Sequence, residues 1–150
     1  MTRSLAHVRG AVAVGGLAGF ILACSSTTGP TSVASILAHR AVWNNQRLAN
    51  YSYTFQAFGG FMSGPRGPFQ LEIRGDTVRV AVDLATGDSL VPTYFPTIDA
   101  LFDRALDAAQ TGSLTDIVFD PVRSYPTRLA YAAVPDAVSL EQASALQPLP

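Results

Sequence analysis

VASILAHRAVWNNQRLANYSYTFQA, residues 33 to 57, contains the change of period on which the fold turns. As far as Ala49, the side chains of Val33, Ile36, Leu37, Ala41, Trp43 and Leu48 recur at helical spacing, with Arg40 and Arg47 set among them. Thr31 or Ser32 stands where a capping hydroxyl belongs, and Asn50 is a suitable stop. From Tyr51 the period is two. Tyr51, Tyr53, Phe55 and Ala57 alternate with Ser52, Thr54 and Gln56, which predicts a strand with one aromatic face.

Residues 59 to 68 hold four Gly and two Pro and form a loop. Phe69 to Arg74 alternates again. Gly75-Asp76 is a two-residue hairpin signal, and Val78, Val80, Val82 and Leu84 carry the alternation on to about Thr86. Pro92 to Pro96 is a connector. Thr97 then caps a second helix on which Ile98, Leu101, Phe102, Ala105, Leu106 and Ala109 make one stripe, with Asp99, Asp103, Arg104 and Asp107 off it. Gly112 ends that helix. Leu114 to Phe119 and Tyr125 to Ala133 read as strands about an Asp120-Pro121 turn, and Val138 to about Leu146 as the last strand. Helices that do not alternate singly with strands predict an α+β fold, an antiparallel sheet with two helices packed on one face. The halves suggest a degenerate helix-plus-three-strand repeat.

The start of the chain reads as an address. Arg3, His7 and Arg9 precede the uncharged thirteen-residue run Gly10 to Leu22, too short to span a bilayer and of the length of a signal-peptide core. The run closes on Ile21-Leu22-Ala23-Cys24, which resembles a bacterial lipobox, although Leu22 stands where a small residue is more usual. That resemblance implies cleavage before Cys24, lipid on its sulfur, and attachment to a membrane through that lipid. Ser25 after the Cys favours the outer membrane in a Gram-negative host. Residues 1–23 are therefore expected to be a signal peptide and residues 24–32 a lipidated terminus and flexible tether. Residues 33–146 then form a single domain and 147–150 a fraying tail. Cleavage would leave eight Arg against eleven acids, a net charge of -3, so lipid rather than charge would hold the domain to a membrane.

Composition excludes several classes of function. With 48% hydrophobic and 14% charged residues the chain is not a disordered tail. Ten scattered Arg offset by eleven acids leave no patch for a nucleic-acid backbone. A single Cys rules out a disulfide framework and a CxxC metal or redox site. No P-loop, GxGxxG or EF-hand spacing occurs, and no cofactor is expected.

Three groups of residues together resemble the DUF6174 family of bacterial lipoproteins, a domain of unknown function. They are Trp43 ahead of Tyr51 to Gln56, then Phe95-Pro96-Thr97-Ile98-Asp99-Ala100-Leu101-Phe102, then Val118-Phe119-Asp120-Pro121 running into Tyr125-Pro126-Thr127-Arg128. The resemblance covers about residues 41 to 133 and implies a fold rather than an activity. The chain departs from the family pattern in three places. Ala57, Phe58, Gly59 and Gly60 stand where many members carry cysteines, Ser124 replaces a Gly, and the late acidic stretch is thinned to Asp136 and Glu141.

No catalytic constellation emerges. His39 is the sole His beyond the signal, and no G-x-S-x-G surrounds a Ser. Asp99, Asp103 and Asp107 form an i, i+4, i+8 ladder that reads as a solvated face, and helical carboxylates a turn apart seldom converge on one ion. Phe58, Phe61 and Met62, read as lying exposed in the Gly/Pro loop, are the expected partner contacts. The reading is a non-enzymatic envelope lipoprotein, anchored through lipid on Cys24, that meets an envelope protein or cell-wall partner. The alternative is an envelope hydrolase using a carboxylate pair, with Glu72, Asp120 or His39 as the residues to remove.

Overall fold

Each helix opens on the hydroxyl that its sequence provides. Ser32 Oγ accepts the N–H of Ser35 at 3.2 Å at the start of α1 (Val33–Asn45), and Thr97 Oγ1 accepts that of Ala100 at 3.1 Å at the start of α2 (Ile98–Thr111). Gly112 closes α2 at φ 74°, a left-handed conformation that suits a residue without Cβ. The computed structural model describes residues 31–46, 48–59, 66–134 and 137–150.

Six strands follow the predicted alternations: β1 (Asn50–Phe58), β2 (Phe69–Arg74), β3 (Thr77–Asp83), β4 (Leu114–Phe119), β5 (Pro126–Val134) and β6 (Ala137–Pro148). They form one antiparallel sheet in the order β3-β2-β1-β6-β5-β4. The protein is thus α+β. Each half is a helix followed by a three-stranded meander, and the halves join where the first strand meets the last. Phe55 lies opposite Phe69 on β2 and Ala143 on β6. Gly75 and Asp76, both at positive φ, make the β2–β3 turn.

The core lies between the sheet and the helices. Tyr51, Tyr53, Phe55 and Ala57 of β1, Phe69, Leu71 and Ile73 of β2, and Ile98, Leu101, Phe102 and Ala105 of α2 are all buried. Trp43 closes it from α1, edge-on to Tyr51 with ring centroids 5.5 Å apart. Tyrosine hydroxyls tie the sheet to the start of α2. Tyr53 Oη donates to the carbonyl of Pro96, and Tyr51 Oη accepts the N–H of Ile98 at 3.0 Å.

The structure departs from the expected elements in three respects. β3 ends at Asp83 rather than near Thr86. α1 ends at Asn45 rather than Ala49, and buries Ile36 and Trp43 while leaving Leu37 and Ala41 exposed. Asn44-Asn45 is a poor helix sequence, and Gln46 is tied away through its Nε2 to the carbonyl of Arg123 at 2.6 Å. Residues 147 and 148, expected to fray with the tail, extend β6 instead, pairing Gln147 with Ser52 and Pro148 with Tyr51. The carbonyl of Asn50 accepts the N–H of Leu149, and that of Pro150 accepts Nη1 of Arg74.

Candidate functional site

The sheet has a second face that neither helix covers. Strand parity places Ser52, Thr54, Gln56 and Phe58 of β1 there, opposite the buried aromatic row. Register carries the face outward from Phe58 to Leu140 on β6 and Ala130 on β5, and from Ala132 to Val138. Phe58 is 38% exposed and Val138 51%. Val118 of β4 joins them on the same face, beside the ion pair of Arg128 Nε with Asp116 Oδ2 at 3.0 Å. Next to this apolar corner, Thr54 faces Ser144 and Gln56 faces Gln142. Their hydroxyls and amides help to line a shallow hollow of about 300 Å³.

Strand β6 makes this corner unusual, because it wears its larger apolar residues outward. Val138 and Leu140 lie on the open face, while Ser139, Glu141 and Ala143 point at the helices and are buried. Gly59 lets β1 end against β6. At φ 136°, a Cβ there would meet the carbonyl oxygen of Val138 at 2.7 Å. The far end of the same loop returns to this place, where the carbonyl of Arg66 accepts the N–H of Ala57 at 3.0 Å. The two ends of the Gly/Pro loop therefore flank the apolar corner.

Beneath α2 the inward phase of β6 buries a charge. Glu141 is 1% exposed. Its Oε1 pairs with Nη1 of Arg104 and lies 3.4 Å from the Tyr131 hydroxyl, a long contact. Its Oε2 has no hydrogen-bond partner among the described residues. Burial pushes the carboxyl above the ordinary range, against the pull of the Arg104 guanidinium. Arg104 and Tyr131 also line a hollow of about 470 Å³ with Asp107, Thr111 and Ser113.

The residues singled out from the sequence fall unevenly on this frame. Cys24, Phe61 and Met62 lie outside the described residues. Phe58, expected in the loop, is instead the last residue of β1 and stands on the open face. His39 stacks on Phe119 with centroids 3.8 Å apart and an interplanar angle of 9°, so its ring faces are in part covered. Asp120 Oδ1 accepts the N–H groups of Val122 and Arg123 at 2.9 and 2.6 Å and holds its own turn. Glu72 sits across from Ser52 and Val80 on the open face.

Two of the three carboxylates of the α2 ladder meet separate partners. Asp99 lies 3.4 Å from Nε1 of Trp43, and Asp103 pairs with Arg40 at 2.7 Å. Among the described residues no three His, Cys, Asp or Glu side chains gather closely enough to hold a metal ion. Sequence reasoning missed Glu141 and the outward turn of Val138 and Leu140. Alternation alone puts Val138 and Leu140 inside and Glu141 in water. Only the register with β1 and β5 reverses that assignment, and no local signal encodes it.

No curated protein is similar enough in sequence to count as a match. The profile of a family of unknown function, DUF6174, matches residues 35–140. That span runs from the first turn of α1 to the fourth residue of β6 and so takes in the apolar corner and most of the core and open face. The chain belongs to the DUF6174 family.

Proposed function

We propose that this protein is a lipid-anchored bacterial envelope protein without enzymatic activity, and that it binds a protein or cell-wall partner through the open face of its sheet. The observation that carries the binding reading is the outward placement of Val138 and Leu140 beside Phe58. An isolated exposed aliphatic residue needs no explanation, but three neighbours on one uncovered face mark a contact surface. The polar row of Thr54, Gln56, Gln142 and Ser144 would supply hydrogen bonds at its edge, the usual arrangement of an apolar centre with a polar rim. The address reading rests on the lipobox-like Ile21 to Cys24 and the uncharged run before it. Among the described residues no helix is long and apolar enough to cross a membrane.

Two experiments test the two parts. Replacing Cys24→Ala in the host abolishes incorporation of a labelled fatty acid; labelling that persists would refute the anchor. For binding, the full chain is immobilised and exposed to solubilised envelope, beside a Phe58→Ala/Val138→Ser variant. One component is retained by the wild type, and its retention falls at least tenfold in the variant, about 1.4 kcal/mol of binding energy. The variant's melting temperature stays within a few degrees, because both side chains stand largely outside the core. Equal retention by the two forms would remove the open face from the interaction.

A further inference from the structure

α1 is apolar on two opposite sides. Ile36 and Trp43 point into the core. Ala34, Leu37, Ala38, Ala41 and Val42 are all exposed, Leu37 at 50% and Val42 at 46%. At about 100° per residue these five span one outer face, with Asn45 among them, directly away from Ile36 and Trp43. No charged residue falls on that face. The basic groups of the helix are turned elsewhere, His39 onto Phe119 and Arg40 to Asp103. A helix face that meets water ordinarily carries charge, so this one is fitted to an apolar neighbour.

We propose that the outer face of α1 lies against the lipid surface that holds the protein, seated at the boundary between headgroups and acyl chains. This rests on the reading of Cys24 as the lipid-bearing residue. Cys24 is eight residues before Ser32, the cap of α1. A chain of that length spans at most about 29 Å when fully extended. A domain of this size is about 35 Å across. The anchor thus keeps the start of α1 within about 29 Å of the bilayer, short of the width of the domain, so that its uncharged face stays within reach of lipid. A second copy of the chain has no such tie to α1.

The contact is apolar rather than electrostatic. α1 has no acidic residue, but Asp103 and Asp107 of the neighbouring α2 are exposed and keep that helix in water. Contact is therefore confined to α1 and needs no anionic lipid. It also orients the molecule. Both helices lie on one face of the sheet, so seating α1 on the bilayer turns the open face with Phe58, Val138 and Leu140 away from it, toward a partner.

The test uses the full chain, purified with its lipid and reconstituted into phosphatidylcholine vesicles. Cys24 is the only cysteine, and lipid occupies its sulfur, so one introduced thiol can be labelled with an environment-sensitive fluorophore. Labels are placed at Ala41→Cys on α1 and, as a control, at Val118→Cys on the open face. At Ala41→Cys the emission is shifted to the blue and is quenched several-fold by phosphatidylcholine spin-labelled near the headgroup; the Val118→Cys label shows neither effect. If the vesicles float with the protein and the Ala41→Cys label emits as in water, the proposal is overturned while the anchor stands. A blue-shifted label that the spin-labelled lipid does not quench means that protein covers the face, and also overturns it. A mass showing no lipid on Cys24 removes the anchor and this proposal with it.

Discussion

At the scale of single residues, two buried polar groups behave differently because their partners differ. The Tyr51 hydroxyl accepts the N–H of Ile98, one of the four donors that the first turn of α2 cannot satisfy within itself. Tyr51→Phe leaves that buried N–H without its acceptor and costs about 1–3 kcal/mol. A domain of this size then melts roughly 4 °C lower for each kcal/mol, measurable by calorimetry. Unchanged melting would show that the bond carries no net stability. Glu141 is the opposite case. Its carboxyl titrates above 4.5 in the folded protein, chiefly because it is buried. The folded state therefore holds a proton that the unfolded chain releases, and stability falls as pH rises from about 4.5 through the folded value. Glu141→Gln flattens that slope and is neutral or stabilising at pH 7. Arg104→Ala destabilises at pH 7 by about 1–3 kcal/mol, less than for a fully buried pair because the guanidinium side chain is 40% exposed. Adding Glu141→Gln to Arg104→Ala restores most of the loss. Melting curves from pH 4 to 8 check the set, and a wild-type slope that rises with pH would reverse the assignment.

At the scale of elements, the parts governed by local chemistry were legible in advance. The bounds of β2 and β4, the hairpin at Gly75-Asp76, and α2 from its Thr97 cap to Gly112 follow from spacing and turn residues alone. Thr97→Ala removes the cap and costs about 1 kcal/mol, whereas Thr97→Ser keeps the hydroxyl and most of the stability. Thermal melts of the two variants separate cap from bulk, and equal losses would count against the cap. What could not be read locally was decided by neighbours far along the chain. The end of α1 depends on a bond from Gln46 to Arg123, and the length of β6 on pairing of its last residues with Tyr51 and Ser52. Whether Leu37 faces the core or water depends on which side of α1 meets α2. Helical spacing names the apolar residues but does not choose between two apolar sides. The candidate site was half legible for the same reason. Phe58 was visible as an exposed aromatic, although it ends β1 rather than lying in the loop, whereas Val138 and Leu140 became visible only once register placed them beside it.

At the scale of the whole molecule, the parts arrange themselves in layers. The two helices cover one face of the sheet, the core lies between, and neither helix covers the other face. In the proposed arrangement α1 faces lipid and the open face points away from it, which gives each exposed apolar surface an occupant. The corner at Phe58, Val138 and Leu140 is then the part of the molecule that a partner meets first. The direct measurement is site-specific photo-crosslinking in the intact envelope of the host, with the photoreactive residue at Val138 in one strain and at Thr111, on the end of α2, in another. A discrete crosslinked species from Val138, absent from Thr111 and lost on adding Phe58→Ala, is the expected result. No species from Val138, or the same species from both positions, would contradict a binding role for the open face.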